Sequence, residues 1–423
     1  MDDKTLFTDY RFNNFVNVFN LMDLGISEER IKRDLANAKI RQVILSIYLQ
    51  IKVNGAILVK NQEQRIATAI NSIQPFCDKI FIFDTGSTDQ TMDVVSSFHN
   101  SSIVLTQIQW HENYAYMRNY VNDNVPDGWV LLIDSDEELQ KAQYLTRRQL
   151  KFDLAMLSFY IAEKKDIAIK FKQNFDKEQD INWPTRLYKK TKTLTFFGFV
   201  HEEVRSTKSL KSIRAQLRII NHGSLEAEVK KFQKKERYYR LLKKNIEIEQ
   251  DNVQWYAIIT PDQVLECDQE WYKKHIIVFA DMILKNKLKS PFNEMLLINY
   301  IKLLMKEYQV NKAITVSEAA FEMYPSNPYF LYLKNANKLN NIEMACLKML
   351  DELKEDSNKL REARRDNDQW LVYNAIDLIP DIMLKLLTKA EYYDHAKELL
   401  NEINLTMGHH NYIEPEIGLY KSE

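Results

Sequence analysis

The sequence predicts an α/β domain built on a mostly parallel sheet, followed by an all-α domain. Three observations predict it. Between residues 53 and 136, short β-branched and aromatic runs alternate with helical patterns, as strands joined by helices do. No glycine occurs between Gly223 and Gly408, so a long stretch avoids the commonest helix terminator and turn former. The chain's 423 residues, 45% of them apolar, are enough for about two to three globular domains rather than one.

In chain order, residues 1–48 read as a helical lead-in. ISEERIKRDLANAKIRQVILSIYLQ carries helical periodicity, and Ser27 stands as an N-cap ahead of Glu29 and Arg30. Strand and helix signals then alternate through VNGAILVKN, RIATAINSI, KIFIFD, DQTMDVVSSF, SIVLTQI and WVLLIDSD, with a helix start expected near Ser87 or Thr88. A parallel sheet of this kind carries its functional groups at the carboxyl ends of its strands. Beyond Gly223, a linker helix is expected over about 226–250. The segment EYQVNKAITVSEAAFEMYPSN then places Ala313, Ala320 and Pro325 at steps of seven and five, the spacing of small residues and terminal proline in tetratricopeptide repeats. Weaker copies surround Ala345 and Ala396, and a plain amphipathic bundle is the simpler alternative.

Composition narrows the function classes. Lys plus Arg (58) and Asp plus Glu (59) nearly cancel, and no basic block runs through the chain, so nucleic acid is not an expected partner. Cys77, Cys267 and Cys346 are widely spaced without any CxxC, which points away from a disulfide framework or a zinc site and toward a reducing cytoplasm. MDDKTLFTDYRFNNF lacks the basic and apolar regions of a secretory signal, and no apolar run is long enough for a membrane helix, so stable membrane insertion is not expected.

The chemistry gathers at strand ends. VLLIDSDEEL drops four apolar residues into four acids within five positions. Asp134 and Asp136, two apart on an extended segment, share a face, and paired carboxylates suit Mg2+ or Mn2+ held against the phosphates of a nucleotide. A solvated turn is the alternative reading. Asp84 ends KIFIFD, with Gly86 in the small-residue turn that follows. Arg118 in YAYMRNYV offers a guanidinium for phosphate, or a surface ion pair. LTFFGFVHEEVRS supplies Gly198, His201, Glu202 and Glu203, and RIINHGS ends on His222, together raw material for a general base and a further metal ligand. Five such clusters in one α/β domain describe a site for an anionic ligand.

The order VKNQEQRI, FDTGSTDQT, YAYMRN, LIDSDE, FGFVHEE and NHG resembles the inverting family 2 glycosyltransferases of GT-A fold, over roughly residues 49 to 225. With its tetratricopeptide-like extension, the chain is similar in particular to the sublancin-type peptide S-glycosyltransferases of glycocin biosynthesis. The resemblance implies a GT-A nucleotide-sugar-binding domain over 49–225 and a helical tetratricopeptide-like domain over 226–423.

It implies that Leu58, Lys60, Asn61 and Asp84 cradle uracil and ribose, and that Arg118 lies near the diphosphate. Asp136 is then the principal metal ligand, Asp134 and Ser135 contact the nucleotide sugar or the metal, and His222 reaches the metal. Glu202 matches the catalytic carboxylate with Glu203 the close alternative, and His201 is a diphosphate or acceptor contact. One departure stands out: relatives commonly have Asn-Glu where this chain has Asn61 and Gln62, so that Glu's role is lost or passes to Glu63.

The expected activity is inverting transfer of a hexose from UDP-glucose or UDP-N-acetylglucosamine to Cys or Ser of a bacteriocin precursor peptide, by a cytoplasmic homodimer paired through its helical domain. The rivals are a transferase for cell-surface or lipid-linked glycan and a non-catalytic repeat scaffold. The basic stretch KKFQKKERYYRLLKK, Lys230 to Lys244, is the segment a lipid-facing rival would use, or it is simply a solvated linker helix.

Overall fold

The computed structural model describes residues 6–142, 145–161, 165–175, 182–222, 234–363 and 379–406. The chain falls into two compact units, Met1–Gln250 and Asp251–Glu423. The expected boundary at 225–226, Gly223, the first four residues of the basic stretch and Gly408 lie outside the described residues.

The first unit opens with helices α1 (Asp9–Val18), α2 (Leu21–Leu24), α3 (Glu28–Ala36) and α4 (Ala38–Gln50). Then come β1 (Val53–Val59), α5 (Ile66–Ile73), β2 (Lys79–Asp84), α6 (Thr91–Ser96), β3 (Ile103–Gln107), α7 (Tyr114–Asn124), β4 (Trp129–Asp134), β5 (Glu137–Leu139) and α8 (Arg147–Tyr160). The unit continues through β6 (Lys165–Phe175), β7 (Thr185–Lys189), β8 (Leu194–Phe197), β9 (Glu203–Ser206), β10 (Ser209–Asn221) and α9 (Lys234–Ile248).

Among the described residues, eight strands form one sheet in the order β3-β2-β1-β4-β7-β6-β10-β5, and β8 pairs with β9 as a separate hairpin. Strands β1 to β4 are parallel to one another, as is β6 to β10, whereas β7 runs antiparallel to both its neighbours and β5 antiparallel to β10. The sheet is therefore mixed, with its parallel half where the sequence alternates strand and helix. Strand β1 is buried along nearly its whole length, as an interior parallel strand flanked by helices must be. Register then places the chemistry: Val59 pairs with Asp84 and Leu58 with Asp134, so the carboxyl ends of β1, β2 and β4 lie side by side.

Ser27 does cap α3, its Oγ accepting from Arg30 N at 3.3 Å. Helices α1 to α4 are not an isolated appendage. Phe12, Phe15, Ile31 and Ile44 share one apolar core with Leu154 and Leu157 of α8 and with Ile213, Ala215 and Ile219 of β10. The alternating burial of β10 lets it present these apolar residues on one face.

That core encloses a carboxyl group. Asp153 is fully buried, Oδ1 accepting from Gln149 Nε2 at 2.7 Å while Oδ2 has no hydrogen-bond partner. Burial holds its pKa well above the ordinary carboxylate value, against the smaller pull of Gln149 and Arg11. The unfolded chain ionises near the ordinary value while the folded chain keeps the proton, so this group costs stability progressively as pH rises above about 4 toward its folded pKa. Asp153→Asn should therefore flatten the pH dependence of stability across that window, by up to about 1.4 kcal/mol per pH unit. Urea unfolding at pH 4, 5.5 and 7 checks it, and parallel profiles for the two proteins would disprove it.

In the second unit every described element is helical. It comprises α10 (Val253–Ile258), a 3-10 turn (Glu266–Asp268), α11 (Gln269–Leu284), α12 (Asn293–Lys306), α13 (Val310–Met323), α14 (Pro328–Ala363), α15 (Ile379–Lys389) and α16 (Tyr393–Thr406). Ala313 and Ala320 are buried on α13, which ends at Met323 just before Pro325, and Ala396 is buried on α16. Ala345 instead sits exposed inside the 36-residue α14. Asn299 ties α12 to the end of α10, Nδ2 donating to Ala257 O at 2.7 Å and Ile259 O at 3.0 Å. Among the described residues, no helix is long and apolar enough to cross a membrane.

Candidate active site

At the end of β2, Asp84 is fully buried and its carboxylate accepts backbone N–H groups from Gly86 (3.1 Å) and Ser87 (3.1 Å). Gly86 makes this turn possible, since its φ of +96° lies where a side chain is strained. The turn also delays the helix. Ser87 Oγ accepts from Asn61 N at 2.9 Å and Asn61 Oδ1 accepts from Thr88 N at 2.8 Å, so both residues serve the loop and α6 begins only at Thr91. Asn61 itself takes φ +53°, which asparagine tolerates better than most residues. Glu63 Oε2 accepts from Gln90 N at 2.8 Å, while Lys60 is exposed and Leu58 half-buried.

Beyond β4, the acids divide their work. Glu137 is buried and gathers donors: Asp134 N at 3.0 Å, Gln173 Nε2 at 2.6 Å, and Arg186 through Nε and Nη2, each at 2.7 Å. Asp134 is gripped on both oxygens, Oδ1 accepting from Arg118 Nη2 and Oδ2 from Arg186 Nη2, each at 2.7 Å. Arg118 continues the chain through Nε to Glu202 Oε1, again at 2.7 Å. These are short, charge-assisted bonds, the strong class of hydrogen bond, made by two buried arginines to buried Glu137 and to the half-buried Asp134 and Glu202. Burial opposes the charge on both guanidinium groups, yet Asp134 and Glu202 around Arg118, and Asp134 and Glu137 around Arg186, hold both pKa values above the ordinary arginine value. Arg118 Nη1 is buried without a hydrogen-bond partner. An arginine N–H left in that condition fits an anion arriving from outside the chain.

The two neighbouring glutamates part company. Glu202 joins Arg118, whereas Glu203 Oε1 accepts from Arg205 Nε at 2.7 Å, and Arg205 also pairs with Glu249 at 2.6 Å. The loop before them is pinned by buried Asn245 of α9, whose Oδ1 accepts from Phe199 N at 2.6 Å and whose Nδ2 donates to Val200 O at 3.0 Å. His201, at φ +53°, is exposed and sets its ring edge-on to Tyr238 at 5.9 Å. Tyr238 meets Tyr114, which meets Trp110, with centroids 6.1 and 5.0 Å apart, and Arg237 lies over the Trp110 and Tyr114 rings. Burial raises the Tyr114 phenol above its ordinary pKa, while Arg237 pulls the other way. Next to this wall, a cavity of about 310 Å³ is lined by Glu112, Glu236, Arg237, Arg240, Leu241 and Lys244.

His222 N donates to Asp136 O at 2.9 Å, bringing the two expected metal-ligating residues together, and His222 Nε2 lies 3.7 Å from Glu138 Oε2. Ser135 and Asp136 are both half-buried. No three of His, Cys, Asp and Glu converge as a ready-made metal set among the described residues. A two-residue oxygen and nitrogen set still fits Mg2+ or Mn2+, which commonly completes its shell with waters and substrate phosphates.

The structure thus brings Arg118, Asp134 and Glu202 into one ion chain, keeps Asp84 and Asn61 in the adjoining loop pair, and places Glu203 with a different arginine. Sequence reasoning missed Glu137, Arg186, Tyr114, Tyr238 and Asn245. Arg186 had a signal, a charge inside the strand TRLYK, which asks for a buried partner.

Strand ends carrying buried acids and an arginine with a donor to spare accord with comparison to known proteins. Residues 56–214 match glycosyl transferase family 2. The matched stretch runs from within β1 to within β10 and contains every member of the ion chain, while His222 lies beyond it. The chain is 23% identical to the SPbeta prophage-derived glycosyltransferase SunS of Bacillus subtilis over 363 residues, covering 83% of this chain and 80% of SunS. An uncharacterized glycosyltransferase of Rickettsia typhi is 29% identical over 124 residues, which cover 27% of this chain and 41% of that relative, less than half its length. Among solved structures, TarS of S. aureus aligns over 68% of this chain and 89% of that one, at 13% identity and a TM-score of 0.33.

Proposed function

We propose that this glycosyltransferase moves a hexose from UDP-glucose or UDP-N-acetylglucosamine to a Cys or Ser side chain of a bacteriocin precursor peptide, with inversion. The observation that carries the transfer step is the Arg118 bridge, which holds Glu202 at 2.7 Å and Asp134 at 2.7 Å on one guanidinium. The peptide acceptor is supported by the resemblance to sublancin-type enzymes and by the reach of the SunS likeness, which runs over 83% of this chain and so extends well past the matched domain.

In this reading the Asn61 and Asp84 loops meet the nucleoside, and Arg118 Nη1 donates to the diphosphate. Glu202 takes the proton from the acceptor thiol or hydroxyl as that group attacks the anomeric carbon from the face opposite UDP. A thiol needs this help less, because its pKa near 8.5 already supplies some thiolate. His201 and the Trp110–Tyr114–Tyr238 wall border the acceptor side, and the Arg237 cavity receives the flanking peptide. Asp136 and His222 would hold Mg2+ or Mn2+, which when bound offsets negative charge on the departing diphosphate.

Intact-mass analysis of candidate precursor peptides incubated with a panel of UDP-sugars tests the reading. Addition of one sugar to a Cys or Ser peptide is expected. Transfer only to a lipid or polymeric acceptor, with every peptide unmodified, would overturn the peptide assignment. The helical unit is assigned to acceptor handling and self-association, in keeping with stacked helices that present extended surfaces. Sedimentation velocity should return a dimer, and a monomer at micromolar concentration would refute that part.

A further inference from the structure

Arg186 lies at the start of β7, 49 positions beyond Glu137 in sequence, yet it closes the far end of the chain Glu137–Arg186–Asp134–Arg118–Glu202. Its Nε and Nη2 straddle both oxygens of Glu137, and the same Nη2 reaches Asp134 Oδ2. A guanidinium clamped in this planar, two-point fashion cannot swing without breaking several charge-assisted bonds at once. Asp134 is thereby fixed on one oxygen by Arg186, so its other oxygen meets Arg118 from a set direction. Arg118 in turn presents Nε to Glu202 and leaves Nη1 unpartnered.

We propose that Arg186 is a positioning residue of the transfer reaction: through Asp134 it aligns Arg118, and through Arg118 it holds Glu202 where the acceptor proton is taken. This rests on the UDP-sugar transferase reading above. Arg186 is buried and its fork is spent on Glu137 and Asp134, so the influence assigned to it here is geometric. A displacement of about 1 Å at reacting groups can cost on the order of 10²-fold in rate, which sets the scale.

Arg186→Lys keeps the charge and loses the fork, since an ammonium is a single point on a flexible stem. The proteins to compare are wild type, Arg186→Lys, Asp134→Asn and the double variant. The probes are UDP in titration calorimetry with Mn2+, and hydrolysis of whichever UDP-sugar the wild type cleaves. Arg186→Lys should lower kcat for hydrolysis about 10- to 100-fold, while UDP binding, which draws on Arg118 for one contact among several, weakens by less than about tenfold. Its effect should also be largely absent on the Asp134→Asn background, the non-additivity expected of residues acting through one another.

A simple loss of packing would instead lower the melting temperature and give additive losses, and that result overturns the proposal. So does a folded Arg186→Lys protein with wild-type kcat. Wild-type protein that binds no UDP and cleaves no UDP-sugar would remove the donor reading itself, and the inference with it, a result distinguishable from either.

Discussion

Glu202→Gln is expected to lower turnover by about 10²- to 10⁴-fold, the range for a positioned general base, while UDP affinity changes little. The substitution keeps the size of the side chain and an oxygen able to accept the 2.7 Å bond from Arg118 Nε, so the guanidinium should stay in place. What disappears is the proton acceptor. The loss should be larger for a hydroxyl acceptor than for a thiol, because the thiol is already partly ionised near neutral pH. Glu203→Gln is the natural control: its partner is Arg205, with both side chains about a third exposed, and a pair of that kind contributes roughly 1 kcal/mol or less. Steady-state kinetics on both variants decides the matter. A crippled Glu203→Gln beside a mild Glu202→Gln would reverse the assignment, and equal acceptor dependence for thiol and hydroxyl would remove the base role.

Those assignments show which parts of the site a sequence can reveal. β1, β2 and β4 are legible because each is a short apolar run that stops at a polar residue, and parallel pairing then aligns their ends with no further information. The antiparallel insertion of β7 between β4 and β6 is not legible in that way. Its pairing with β4 joins Trp129 to Lys189 and Leu131 to Leu187, far apart in sequence, and nothing local in TRLYK names its neighbours. The same distance hides the ion chain. Glu137 reads as one more acid in DSDEE, and only Arg186, Gln173 and Asn221 arriving from other strands make it a hub. Asp84 is a milder case. The sequence places it at a strand end correctly, but its bonds to Gly86 and Ser87 turn the expected helix start into a loop, since a carboxylate that captures backbone N–H groups competes with the helix for them.

Asp136→Ala is expected to reduce transfer on the order of 10³-fold, and removal of divalent ions by a chelator should do the same to the unmodified enzyme. The scale follows from the several kcal/mol that a bound cation contributes at a developing phosphate charge, with each 1.36 kcal/mol worth tenfold in rate. Folding should survive, because the interaction tying this residue to the end of β10 is made by its backbone: His222 N donates to Asp136 O, and alanine keeps that carbonyl. The side chain is also one of four acids packed into five positions, so its removal relieves like-charge repulsion when no cation is present. Thermal unfolding separates the two consequences. A ligand that binds only the folded state stabilises it by about 2.7 kcal/mol at a concentration of 100 Kd. UDP with Mn2+ should therefore raise the melting temperature of the wild type clearly and that of Asp136→Ala far less, while in chelator Asp136→Ala should melt no lower than the wild type. His222→Ala should fall between them, since a water can occupy the position of one lost nitrogen ligand more readily than replace a carboxylate's charge. Full activity in Asp136→Ala, or a wild type indifferent to chelation, would leave Asp136 without a metal to hold and make the acid-rich end of β4 a structural feature alone.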